Sequence, residues 1–108
     1  RLATIRRMHE AGVLFLAGRD SGISSFLTHG SIWDSIAFYV EAGASTAVAL
    51  AAATSAAADA CGVGDRRGRI RTGSEADLLL VGGDVGADVA RLADVRVIIR
   101  AGTPVAGH

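Results

Sequence analysis

The sequence predicts an α/β fold, and three observations carry the prediction. A helical stretch, a glycine and the five-residue apolar run Val13-Leu14-Phe15-Leu16-Ala17 follow one another at the start. Helices rich in small residues fill the middle. From Val63 onward helical periodicity stops, and short apolar runs alternate with glycine turns. Helix, glycine and buried strand in succession are the αβ half of a βα repeat. Short runs between glycine pairs are strand and turn signals.

In chain order, Leu2, Ile5 and Met8 fall on a helical pattern over residues 2–11, and Gly12 stands where a glycine ends a helix. His9 has charged neighbours and no evident partner in sequence, so it reads as a solvated helix residue. The run 13–17 suits a strand buried on both faces, as in a parallel sheet covered by helices. Gly18 ends it, and Asp20 then stands at the carboxyl end of that strand, where α/β folds bind ligands. Gly18 to Gly30 form a loop of about a dozen residues, against the ~2–6 usual for such connections, and loops of that length are often functional. It carries Asp20, small hydroxyl residues, the apolar Ile23, Phe26 and Leu27, and His29 followed by Gly30. Read from spacing alone, Asp20 is either a ligand-facing carboxylate or a turn or N-cap aspartate after a glycine, and His29 either a site residue or a loop histidine.

A helix is expected from Trp33 to about Ala42, with Ser31 as N-cap and Gly43 at its end. Ser45 caps a second helix, Thr46 to about Ala60, closed by Gly62. Its face of Leu50, Ala53, Thr54, Ala57 and Cys61 is made of small residues that allow close packing. Cys61 reads as a small buried hydrophobe near the helix end. Beyond residue 63, strands are expected at 69–71, 77–81 and 95–100, with a short helical turn at 88–92. Arg96 and Arg100 give the last strand one wet face. Three short strands cannot bury both faces alone, so 63–108 reads as part of a small sheet whose other strands come from sequence outside this chain.

Composition narrows the function. The 108 residues carry eleven cationic side chains, all arginine, against eleven acidic ones, so there is no electrostatic case for nucleic acid or an anionic membrane as partner. The absence of lysine excludes Schiff-base or carboxylated-lysine chemistry within this stretch. No apolar run reaches the ~18 residues of a membrane span. The single cysteine, with no targeting signal evident, fits a cytoplasmic location. The chain opens on Arg1 in what reads as mid-domain helix, which points to a fragment or a processed chain.

Several ordered segments resemble a known family. Val13–Gly22, His29-Gly30, Tyr39-Val40-Glu41-Ala42-Gly43, Ala51–Ala57, Gly68–Gly73 and Ala76–Val81 look like the carboxyl-terminal part of the metal-dependent amidohydrolase superfamily, nearest its imidazolonepropionase and Xaa-Pro dipeptidase-like branch. The resemblance implies the last βα portion of a (β/α)8 barrel over residues 1–62, followed by strands of a small β-sandwich over 63–108. It also implies a divalent metal cofactor, one or two ions and usually zinc. By the resemblance Asp20 is a metal ligand and the acceptor of a proton from the metal-bound water, and His29 lies near the substrate. Asp77 resembles a structural aspartate of the family that fixes a turn.

The sequence departs from the family pattern at Arg19, where threonine is usual before the aspartate. Arg19 either binds a substrate carboxylate, points away, or marks a site that has lost its metal. The family's His-x-His and its two further metal histidines have no counterpart here, and one carboxylate does not hold a catalytic zinc, which takes about three protein ligands. The expected function is therefore a share in hydrolysis of C–N bonds in a non-peptide, cyclic or dipeptide-like amide, with a small-molecule amide as substrate. The missing barrel strands come from the same or another chain, and the piece is inactive alone. The rival readings are a free-standing, metal-free interaction or structural remnant and one half of a split enzyme. Exposed apolar surface makes association, including homo-oligomers, a further expectation.

Overall fold

A computed structural model describes residues 1–18 and 31–105 of the chain. Among the described residues four helices come first, α1 (Leu2–Glu10), α2 (Ile32–Glu41), α3 (Thr46–Ala53) and α4 (Ser55–Ala60). Three strands come after them, β1 (Leu78–Val81), β2 (Val95–Arg100) and β3 (Thr103–Pro104), with a 3₁₀ turn over Val89–Ala93 between β1 and β2. None of the described helices is long and apolar enough to cross a membrane.

Local chemistry explains most of the boundaries. The Val48 amide donates to the Ser45 side chain at 3.1 Å, which starts α3 as expected of an N-cap. The Ala90 amide does the same to Asp88 at the 3₁₀ turn. Gly43 and Gly62 stand after α2 and α4 with positive φ.

The helix expected from Thr46 to Ala60 is two helices. Thr54 breaks it at φ −129° and ψ −94°, its hydroxyl donating to the Leu50 carbonyl at 2.8 Å. A β-branched residue that bonds back to the i−4 carbonyl weakens a helix from within, and here the break is complete. Ala49, Ala52 and Ala58 are buried, Leu50 and Ala53 of the expected face are partly buried and pack against the core, and Thr54 is exposed. Cys61 caps the end of α4 and is exposed, because the short α4 stops before its buried side comes round again.

Ile36 and Tyr39 of α2, Ala44, and Ala49 and Ala52 of α3 form the core, with Phe15, Ala17, Val89 and Leu92 packed against it. Alanines make this core thin and let α3 approach α2 closely. Val89 and Leu92 tie the carboxyl-terminal part to the helices.

Residues 13–17 pair with no strand among the described residues. The run is tethered instead through the Val13 amide to the Met8 carbonyl at 3.0 Å and the Ala17 amide to the Ala52 carbonyl at 2.9 Å. An apolar run becomes a strand only when neighbours supply its ladder, and Leu14 remains 70% exposed. The stretch 69–71 is likewise irregular and forms no strand. Arg69 grips Asp59 there through two bonds of 2.9 and 2.8 Å, and Arg71 donates to the carbonyls of Gly64 and Asp65. These bonds fold the segment onto α4, leaving Ile70 90% exposed.

The sheet has the order β1-β2-β3, antiparallel throughout, with Leu79 opposite Ile98 and a bulge between Leu80 and Val81. β2 and β3 join through Ala101 and Gly102, both at positive φ, 49° and 81°. Asp77 secures this turn by accepting from the Ala101 amide at 2.9 Å, beside a bond from the Gly102 amide to the Ala76 carbonyl. The turn-fixing role expected for Asp77 is thus explicit. A two-residue hairpin with positive φ at both positions favours Asn-Gly, and alanine at the first is strained. Ala101→Asn is expected to stabilise the fold by roughly 0.5–1 kcal/mol, read as a higher denaturation midpoint.

Candidate functional site

The apolar run 13–17 leads to Gly18, the last described residue before the stretch that carries the predicted site. Arg19, Asp20 and His29 lie outside the described residues, so their expected roles find neither support nor contradiction in the structure. What is described is the polypeptide on either side of residues 19–30.

A cleft of about 440 Å³ opens beside residues 15–18, between the start of α1 and one side of α2. Arg1 and Ile5 line one side, and Ser35, Phe38 and Tyr39 the other. The Arg1 guanidinium sits 5.2 Å from the Phe38 ring centroid, a cation–π distance. The Ser35 hydroxyl faces the Gly18 carbonyl at 3.5 Å, at the long limit of a hydrogen bond.

Tyr39 is the hub of this scaffold. Its ring is 7% exposed and meets Phe15 edge to face at 5.5 Å, which seats the apolar run on α2. Its hydroxyl shares a hydrogen bond of 3.3 Å with His9 Nδ1, and the two rings are T-shaped at 5.3 Å. His9 is accordingly half-buried and partnered, not solvated as its charged neighbours imply. Thirty positions separate it from Tyr39, and no local pattern reveals such a pair.

Among the described residues, no group of three or more His, Cys, Asp or Glu side chains comes together to hold a metal ion. The clear pKa shifts belong to two exposed ion pairs away from the cleft. The hydrogen bond from Arg69 holds the Asp59 carboxyl below its ordinary 3.8, and that from Arg96 does the same for Asp94. Perturbed carboxylates often mark active sites, but an exposed carboxylate gripped by arginine is structural bracing.

The bracing has a pH signature. Because the folded pKa of Asp59 is depressed, its contribution is present above the unfolded value near 3.8 and is lost as pH falls through the folded value. Asp59→Asn should flatten the fall of the unfolding midpoint between about pH 5 and pH 3. An unchanged acid limb in that variant would show that the pair does not brace the fold.

Known proteins share this outline. The profile of the amidohydrolase family matches residues 1–106. A Xaa-Pro dipeptidase crystallised with methionine in its active site is 32% identical, with a TM-score of 0.88 over 98% of this chain and 25% of that one. A candidate prolidase from Bifidobacterium longum is 34% identical, with a TM-score of 0.88 over 98% of this chain and 26% of that one. Phenylurea hydrolase B is 27% identical, with a TM-score of 0.85 over 94% of this chain and 26% of that one. The chain therefore spans about a quarter of the length of these structures. No protein of curated function matches the sequence.

Proposed function

The chain belongs to the amidohydrolase family, and on that premise we propose that it serves as the carboxyl-terminal portion of a metal-dependent hydrolase of C–N bonds in small amides. The observation that carries this reading is the superposition of 98% of the chain on a quarter of a Xaa-Pro dipeptidase at 32% identity. That relative makes a dipeptide-like amide the favoured substrate class, ahead of cyclic or other non-peptide amides.

In this reading the scaffold around Tyr39 presents the loop after Gly18, and the loop supplies Asp20 as one metal ligand and proton acceptor and His29 as a substrate contact. A divalent metal, when bound, supplies an activated water by lowering its pKa from ~15.7 towards ~7. The described residues alone do not make a metal centre, so the remaining ligands come from the missing barrel strands, in the same polypeptide or another. The exposed Val13, Leu14 and Leu16, close together on one unpaired run, support this arrangement over a free-standing module, because contiguous apolar surface marks a face that another segment covers.

The test joins this chain to the missing barrel strands and monitors hydrolysis of a Xaa-Pro dipeptide. Turnover that a chelator abolishes and zinc restores is the expected result. Turnover indifferent to chelation would contradict the metal-dependent reading.

A further inference from the structure

We draw no further inference here: the strongest candidate, the uncovered apolar surface of the β1 strand at Leu79 and Leu80, carries nothing because nothing in the structure shows what covers it.

Discussion

Gly68→Ala is expected to destabilise the fold by about 2–4 kcal/mol, since it combines left-handed backbone strain of ~1–2 kcal/mol with overpacking of ~1–3 kcal/mol. Gly68 has a φ of +88°, which side chains rarely adopt. An added Cβ would also stand 2.6 Å from the Ala58 Cβ and 2.8 Å from the Thr54 carbonyl oxygen. Neither neighbour is a flexible side-chain end that can swing away. The contact lies where the 63–68 turn crosses the break between α3 and α4, so relief requires moving a helix. Arg69 binds Asp59 of α4, and Arg71 binds the carbonyls of Gly64 and Asp65, which holds the turn in place. The loss should appear as a lower denaturant midpoint at unchanged slope. A midpoint within about 0.5 kcal/mol of the parent would show that the turn moves freely and that the close approach is not a constraint.

Asp20→Asn is expected to lower turnover of the completed hydrolase by at least roughly 10²–10⁴-fold, the span of a lost proton acceptor. Stability should stay within about 0.5 kcal/mol of the parent, as for a substitution that keeps size and polarity. The substitution keeps size and polarity while removing charge and basicity, so it separates chemistry from folding. The described core lies in α2, Ala44 and α3, with Phe15 and Ala17 packed against it. Retained turnover would take Asp20 out of the mechanism. Lost turnover with a collapsed midpoint would assign it to the turn, the reading that its position after a glycine leaves open.

The features legible in the sequence are those with a local cause. Ser45 caps α3, Asp88 caps the 3₁₀ turn, and glycines close α2 and α4, because each acts within a few residues. The strands at 78–81 and 95–100 arise from apolar runs between turns, whereas the turn-fixing bond that Asp77 accepts from the Ala101 amide, twenty-four residues away, is expected from the family resemblance. The features that sequence reasoning missed are set at a distance. The break at Thr54 sits under a turn fourteen residues away, and His9 is partnered by a tyrosine thirty residues away. The run 13–17 is apolar as its residues dictate, yet a strand is a relation between segments, and among the described residues it pairs with none. The proposed site residues Asp20 and His29 rest on the family resemblance, and the family match over residues 1–106 bears out that resemblance.

If this chain contributes one carboxylate and its scaffold to an active site completed by other polypeptide, its activity must depend on that completion. Xaa-Pro dipeptide hydrolysis should be measured for the 108-residue chain alone and for the same chain joined to the missing barrel strands. No turnover is expected from the chain alone, and zinc-dependent turnover from the joined form. Turnover by the isolated monomer, or a folded joined form that binds zinc and hydrolyses no amide, would contradict the shared active site.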